Sequence, residues 1–404
     1  MKLLHKTALT QLAVICATGC FLSVQAAPLI TISDNLNLYA TGTATGQYNS
    51  NILSSPGGPG KKDDYVMTLS PGVELDYGRN TDTTLNIKYR EDFLRYLQNS
   101  GLNNDLSNVF VTASRQQGSA EIDANFSYVQ AYTNTPTFII PGVPITTIIR
   151  SDIYAAGVKV NYTISPKFYT DIGLQYSQTD YLYGAGAPYQ NATNYHVPAN
   201  FYYDYSEKID VGVAYYFDYT DPSNSRAPVT SGVVRYDNFG GLSLRMKQWE
   251  KLTGTVNIGV DDNHVTNNSG AGVTASDSLN LAYGVKLQYD YSEKLSFFLN
   301  GQRNFQTGAQ GQNIQVTTAT LSGHYAYSDN VSLDFTPIGY SYSQYFQTTP
   351  QRDDNAYNIG FAANWAPTSY LSLTAGYTYF MNSSNQPGAT YNINLVTISG
   401  TVRY

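Results

Sequence analysis

Beyond its first 26 residues, the chain of 404 residues has no uninterrupted apolar run as long as a membrane-spanning helix needs. Its only cysteines, Cys16 and Cys20, lie within those first residues. Removing this segment would leave a mature chain without thiols. Without thiols, cysteine-based catalysis, iron–sulfur clusters and zinc–thiolate sites are excluded.

An excess of positive charge is also missing. Of the 23 basic residues, Lys2 and Lys6 lie in the N-terminal segment, so 21 remain against 30 acidic residues and the net charge becomes −9. This balance disfavours nucleic-acid binding through a basic surface.

The N-terminal segment has the organisation of a secretory signal. Lys2 and Lys6 precede an apolar run over residues 8–24, and Val24-Gln25-Ala26 resembles a small-residue cleavage site. We predict a signal peptide over residues 1–26 and a single mature domain over residues 27–404. Lipoprotein processing at Cys20 is the alternative, but Ala17 stands where a lipobox usually has leucine.

Alternation of apolar and polar residues is the strongest signal that remains. Across residues 279–291 every odd position is Leu, Val or Tyr, while the even positions include Asn, Lys, Gln and Asp. Successive side chains of a strand point to opposite faces, so such a strand has one apolar and one polar face. Because the pattern recurs from about residue 36 to Tyr404, it predicts an all-β fold, a transmembrane antiparallel up-and-down β-barrel around a polar lumen.

Tyrosine dominates the aromatic residues, with 37 Tyr against 16 Phe and 2 Trp. A tyrosine joins an apolar ring to a polar hydroxyl, which suits the headgroup level of a bilayer, where barrels carry aromatic girdles. A soluble all-β protein with tyrosines in its core is the alternative. The spacing of the turns favours the barrel.

Short turns recur between the alternating runs. They use the Ser, Asn, Asp, Pro and Gly residues that hairpins need. Eight are predicted, around residues 79–82, 115–118, 162–168, 203–209, 248–251, 289–295, 325–331 and 365–370. The connections between them are longer and rich in Gly, Asn and Pro, and we expect them on the opposite, extracellular rim.

Placing strands between these turns predicts a barrel of eighteen strands, or of sixteen if one of the predicted hairpins does not form. Their centres are expected near residues 42, 71, 88, 111, 126, 158, 174, 200, 214, 244, 257, 285, 300, 320, 336, 360, 376 and 398. The first and tenth strands have the weakest patterns. Either count encloses an interior too wide for side chains to fill, which predicts a water-filled channel unless loops obstruct it.

The polar face of these strands supplies the candidate pore-lining residues. A Lys or Arg facing lipid at mid-membrane would cost about 2–4 kcal/mol, so we expect these side chains to point inward. The candidates are Lys88, Arg90, Asp92, Glu121, Asp123, Lys159, Asp171, Asp210, Arg245, Lys247, Lys286, Gln288 and His324. Most of them are expected only to make the wall of the lumen hydrophilic. Lys88 and Arg90 form the best local positive strip, whereas the acidic excess elsewhere predicts weak cation preference.

Four aromatic residues fall on the same polar face, namely Phe110, Tyr202, Tyr216 and Phe298. Such rings could form a stacking track for sugars. The alternative is that they fill space or lie near the rims.

The connection over residues 132–151 is unusually apolar, with Phe138-Ile139-Ile140-Pro141-Gly142-Val143-Pro144-Ile145 near its middle. Exposed apolar clusters commonly cover a partner surface or fold back. This loop could narrow the pore, or Pro141-Gly142 could be the tip of a hairpin that extends beyond the membrane. The strand propensity of the flanking Thr, Ile and Phe residues favours the hairpin.

Catalysis is disfavoured, because the mature chain offers only His196, His264 and His324. His264 follows Asp261 and Asp262, so an Asp–His pair is conceivable in a predicted outer loop. Charged residues in a loop are more often solvated. Neither a paired-histidine metal motif nor a phosphate-binding glycine loop is present, so we expect no enzyme and no cofactor.

The N-terminal strands resemble a known family. Tyr48-Asn49-Ser50-Asn51-Ile52 and the run from Asp63 to Leu75 look like the opening of the beta-barrel porin type 2 family, over about residues 34–98. The resemblance implies an outer-membrane barrel, and some members are linked with exopolysaccharide systems. It carries over no functional residues.

The last strand resembles the C-terminal signal that the barrel-assembly machinery binds. It ends in Tyr404 rather than the commoner Phe and has Gly400 at an expected apolar position. We therefore expect a Gram-negative outer-membrane protein with both termini in the periplasm. Its expected partners are outer-membrane lipid and lipopolysaccharide, the assembly machinery, small hydrophilic solutes and, through its flat apolar faces, further copies of the chain. No nucleic-acid partner is expected.

These observations predict a passive channel for small hydrophilic solutes. The alternatives are a loop-blocked barrel for attachment or assembly, and a component of exopolysaccharide export.

Overall fold

In the computed structural model, the described residues are 27–57, 60–79, 81–133, 149–182, 191–221, 233–267, 276–308, 312–346, 351–386 and 388–404. The signal peptide predicted over residues 1–26 and most of the apolar loop over 132–151 lie outside them. Within these ranges no helix has the length and apolar character needed to cross a bilayer.

Eighteen antiparallel strands form a closed ring, because the last strand pairs with the first strand of the ring. The all-β barrel prediction is confirmed, and each of the eighteen predicted centres lies within a strand. One strand, β1 (Ile30–Ser33), was not predicted; it pairs with β2 outside the ring. The ring consists of β2 (Leu36–Asn49), β3 (Asp64–Tyr77), β4 (Thr83–Tyr96), β5 (Asn104–Gln117), β6 (Ala120–Thr133), β7 (Ile149–Ser165), β8 (Phe168–Leu182), β9 (Ala192–Asp204), β10 (Ile209–Asp221), β11 (Val233–Trp249), β12 (Leu252–Asn267), β13 (Ser276–Asp290), β14 (Leu295–Thr307), β15 (Asn313–Ser328), β16 (Val331–Tyr345), β17 (Arg352–Thr368), β18 (Leu371–Ser384) and β19 (Tyr391–Arg403). The only described helix is a single turn, Ser100–Leu102.

The two faces of the ring differ in polarity as the alternation predicts. On β3, Tyr65, Met67 and Leu69 are exposed, whereas Ser70 and Glu74, which point to the other face, are buried. In a water-soluble protein the apolar face would be the covered one. An exposed apolar face is what a strand in contact with lipid needs.

Aromatic rings line the apolar face near both rims. Tyr176, Tyr195, Tyr219 and Tyr236 form a row across β8 to β11, with successive ring centroids 5.4, 6.1 and 5.0 Å apart. Nearer the opposite rim, the Phe168 ring contacts the rings of Phe201 and Tyr203 at 5.6 and 5.2 Å. Tyrosine and phenylalanine rings therefore lie at two levels of the apolar face, as expected where lipid headgroups contact a barrel.

All eight predicted turns connect neighbouring strands on one rim, and nine longer connections lie on the other. The two ends of the ring meet on the short-turn rim, where the backbone N–H of Tyr404 donates to the carbonyl of Ala40 at 2.9 Å. Of the apolar loop, only the ends are described, and they continue the β6–β7 ladder up to the Thr133–Ile149 pair.

The turn between β3 and β4 depends on Gly78, which has a φ of +85°. A Cβ added there would lie 1.8 Å from the Thr83 carbonyl oxygen and 2.8 Å from Thr81 Oγ1. Glycine alone adopts this conformation without a steric penalty.

We expect Gly78→Ala to destabilise the β3–β4 hairpin by about 1–3 kcal/mol, because it adds both backbone strain and a clash with the backbone. The measurement is the heat-modifiable mobility of the refolded protein on a gel, as a function of urea. Gly101→Ala is the matched control, because nothing lies within 4 Å of its added Cβ. Equal urea midpoints for the two variants would contradict the prediction.

Candidate channel lining

The polar face lies on the concave side of the ring, as contacts between distant strands show. Arg245 Nη2 of β11 lies 3.1 Å from Asp171 Oδ2 of β8, although two strands separate them. Side chains converge on the concave side of a curved sheet and diverge on the convex side, so a contact across this distance requires the concave side.

The predicted pore-lining residues lie on this polar face. Directly paired residues point to the same side of a sheet, and the register pairs Asp123 with Lys159 and Asp210 with Arg245. Arg245 then pairs with Thr255, which in turn pairs with Lys286. The candidates thus belong to one surface, although they come from eight different strands.

The predicted positive strip on β4 has acidic partners. Lys88 Nζ lies 3.4 Å from Glu74 Oε1, and Arg90 Nε lies 2.8 Å from Asp92 Oδ1. Glu74 also accepts a hydrogen bond from Arg403 at 2.9 Å, which joins β3 to the last strand across β2. The side chains of Lys88 and Arg90 remain 51% and 47% exposed, so both charges are in contact with solvent.

Arg245 is the centre of a second, more buried group. Its guanidinium lies 4.2 Å from the ring centroid of Tyr202 and 5.1 Å from that of Tyr169, and the two rings stack on each other. Lys159 Nζ is 4.0 Å from the same Asp171 carboxylate that Arg245 contacts. Cation–π contact and an ion pair together fix the guanidinium against the wall.

The other predicted candidates also have nearby partners. Lys247 lies between Asp204 and Asp210, at 3.0 and 2.8 Å. Glu121 accepts from Asn161 at 3.2 Å, Gln288 donates to Asp290 at 2.9 Å, and His324 lies 2.7 Å from Asp334. Lys286 is exposed. Most of these side chains thus belong to local hydrogen-bonded pairs along the wall.

The predicted aromatic track is interrupted. The ring of Tyr202 is only 2% exposed, beneath Arg245. Tyr216 stacks on Phe239 with centroids 4.7 Å apart, and its hydroxyl donates to Asp261 at 3.0 Å. Both rings are therefore engaged within the wall, which favours the space-filling interpretation. Phe110 and Phe298 are partly exposed on the same face.

An acidic patch lies on β10 to β12. Asp237 and Asp261 are each 1% exposed and lie near the Tyr216–Phe239 stack. Arg235 Nε lies 2.7 Å from Asp237, and His196 lies 2.5 Å from Asp218. Period-2 alternation places Asp237 and Asp261 on the polar face. Their grouping depends on the strand register, which the sequence does not reveal.

Of the two aspartates considered for an Asp–His pair, Asp262 contacts His264, and the prediction of an outer loop here was wrong, because His264 lies within β12. His264 Nε2 lies 2.9 Å from Asp262 and its Nδ1 lies 2.7 Å from Asp277, so both ring nitrogens have partners. Asp261 points to the opposite face of β12. Among the described residues, no group of three or more His, Cys, Asp or Glu side chains can hold a metal ion.

The polar face is covered near the rim with the long connections. Ile52 and Leu53 of the first connection are buried against Val66 and Tyr96. Elsewhere around this rim, buried groups comprise Ala389, Tyr391 and Ile393, and Ile314, Val316 and Tyr345. In an open, water-filled barrel these apolar side chains would be exposed to water. Because they are buried instead, the lumen is narrower at this rim.

No family model matches the chain, and no curated protein matches it either. The solved structure of the ferric citrate transporter FecA in its unliganded form is similar at a TM-score of 0.51 and 9% identity, covering 95% of this chain and 82% of that one. The outer membrane protein OpdK of Pseudomonas aeruginosa has a TM-score of 0.48 and 10% identity, covering 91% of this chain and 99% of its own. A BenF-like porin of Pseudomonas fluorescens Pf-5 has a TM-score of 0.48 and 8% identity, covering 93% and 100%. At such identities the similarity shows the fold alone, and the chain has the closed β-barrel fold of outer-membrane proteins.

Proposed function

We propose that the protein is an outer-membrane channel through which small hydrophilic solutes diffuse passively. The observation that carries this proposal is a closed ring of eighteen strands with an apolar convex face and a charged concave face. A ring of this size encloses more space than wall side chains fill. Lys88, Arg90 and Lys286 are exposed on the concave face, which is expected where water enters the barrel.

We infer the orientation in the membrane from the lengths of the connections on the two rims. Outer-membrane barrels have short turns on the periplasmic side and longer loops outside. This assignment puts both chain termini in the periplasm, where the barrel-assembly machinery would meet the strand that ends at Tyr404. The narrowed rim then faces the extracellular side.

The test is single-channel conductance in a planar bilayer, with refolded protein that lacks residues 1–26. Discrete, stable current steps are expected, with an ohmic current in symmetric salt. The same protein, heat-unfolded before addition, is the control for detergent artefacts. Folded and inserted protein without current steps would contradict the proposal.

A loop-blocked barrel that serves attachment or assembly is the second candidate. The buried side chains at the extracellular rim favour it, since Ile52 and Tyr96 would be wet in an open mouth. The two candidates give opposite results in the bilayer experiment. A silent barrel would direct further work to the extracellular connections.

A further inference from the structure

The wall of the barrel is interrupted between β13 and β14. Their described pairing ends at Tyr283–Arg303, although β13 continues to Ser276 and β14 to Thr307. The ladders on either side do not stop there: β12–β13 continues to the Val265–Ser276 pair and β14–β15 to the Thr307–Asn313 pair. The upper part of the β14–β15 hairpin therefore separates from β13 as a unit.

A side-chain contact gives the direction of this displacement. Asn313 Nδ2 of β15 donates to Asn263 Oδ1 of β12 at 2.8 Å. If the sheet continued undisturbed, these residues would lie on strands three steps apart, about 14 Å. Two asparagine side chains cannot bridge that distance, whereas the long side chain of Arg245 can bridge a similar one to Asp171.

Asn263 lies on the concave face, where its own amide donates to Asp237. The described upper part of the hairpin, residues 304–307 and 313–316, therefore lies inside the barrel, towards β12. Burial agrees with this placement. Leu299 and Phe305 share the apolar face of β14, yet Leu299 is 40% exposed while Phe305, nearer the tip, is 4% exposed.

The displaced hairpin leaves polar atoms without partners around the break. Asn280 Nδ2, Arg303 Nε, Thr307 Oγ1 and Asn313 Oδ1 are buried and form no hydrogen bond in the described part of the chain. Each such group has lost its hydrogen bonds to water without gaining one from the protein, which is unfavourable. Desolvation of these groups therefore opposes the inward position of the hairpin. The hairpin is held to β12 by a hydrogen bond between two neutral amides.

We propose that this segment, residues 304–307 with 313–316, is the constriction that sets the open cross-section of the channel, and that the Asn313–Asn263 hydrogen bond is its latch. We call the segment the inner hairpin. This inference rests on the proposed function. It assigns Asn313 and Asn263 as positioning residues for the size limit of the passing solute.

Proximity is tested first, without any transport assay. Residues 27–404 contain no cysteine, so in protein that lacks residues 1–26 the Asn263→Cys/Asn313→Cys variant has only these two thiols. A short thiol-specific cross-linker is expected to join them in the folded protein, seen as a shift in gel mobility. Asn263→Cys/Asn300→Cys is the control pair, because Asn300 lies lower on β14 in the intact wall. Absence of cross-linking in the first pair would overturn the inward placement.

Conductance then tests the role. In Asn313→Asp a carboxylate replaces the amide donor and faces the Asn263 carbonyl oxygen, while the Asn263 amide is held towards Asp237 by its own hydrogen bond. Release of the inner hairpin is expected to raise the unitary conductance by a factor of about two, since the narrowest section limits the current. Asn300→Asp, which adds the same charge to the wall below, is expected to leave the step size near that of the wild type.

Cross-linking the Asn263→Cys/Asn313→Cys variant is expected to keep the small step size and abolish transitions to larger steps. If the wild type conducts and Asn313→Asp gives identical steps, the constriction role is wrong while the channel stands. If no folded variant conducts, the channel itself is wrong. The cross-linking result separates the inner hairpin from both outcomes.

Discussion

Replacing both Lys88 and Arg90 by glutamate is expected to shift the channel strongly towards cations. The double change removes two positive charges, adds two negative ones and leaves Glu74 and Asp92 without these partners. Both side chains are about half exposed on the concave face, so their charges act on ions in the lumen with little screening by protein. Fixed charges of one sign along a pore wall attract counter-ions and repel co-ions.

The measurement is the reversal potential in a tenfold KCl gradient. The cation-to-anion permeability ratio is expected to rise several-fold over that of the wild type, and the effect to weaken in concentrated salt because ions screen the wall. Lys208→Glu/Lys294→Glu is the matched control: it makes the same change of charge in two exposed turns on the short-turn rim. An unchanged reversal potential in the Lys88/Arg90 variant would refute the assignment of these residues to the lumen.

Arg245→Ala is expected to cost about 3 kcal/mol of folding free energy, because it leaves the buried Asp171 carboxylate without its closest cation. It also removes the guanidinium that contacts the Tyr169 and Tyr202 rings. Lys159, 4.0 Å from Asp171, compensates only in part. The loss should appear as a lower urea midpoint for unfolding, followed by tryptophan fluorescence from Trp249 and Trp365.

Arg95→Ala provides the comparison for this effect. Arg95 forms an ion pair with Asp105 at 2.7 Å, but both side chains are about half exposed, and exposed pairs contribute about 0–1 kcal/mol. The two variants remove the same side chain in different surroundings. Equal midpoints would show that the Arg245 group is not a stabilising element of the wall.

The strands were predictable because each strand of a membrane barrel has one apolar face towards lipid and one polar face towards the interior, which gives alternating residues in the sequence. Leu279, Leu281 and Tyr289 of β13 lie on the exposed apolar face, and Lys286 and Gln288 on the other, as the alternation predicts. Even the weakly patterned strands around residues 42 and 244 are present. Turn chemistry located the short connections equally well, since hairpin geometry restricts the residues at each turn. The short strand β1 was missed, because four residues outside the ring carry too little pattern.

The face of the barrel on which each charged residue lies was predictable, but most of the partners across strands were not. Polarity places Lys88 and Arg403 on the concave face, yet Glu74 and Arg403 are 329 positions apart and meet only when the last strand closes on the first. The predicted positive strip on β4 is different: its acidic partners are local, Glu74 on the neighbouring strand and Asp92 two residues along β4. Tyr202, by contrast, was a candidate for solute stacking until the register brought Arg245 over its ring.

By itself, the sequence determined the strand positions, the polarity of each face and the rim on which each turn lies, because these depend on neighbours within a few residues. Tertiary structure decided which charges meet and where the lumen narrows. Nothing in the alternation of β14 and β15 distinguishes residues that stay in the wall from those drawn inside with Asn313. That choice depends on β12, on the far side of β13, and so exists only once the ring has closed.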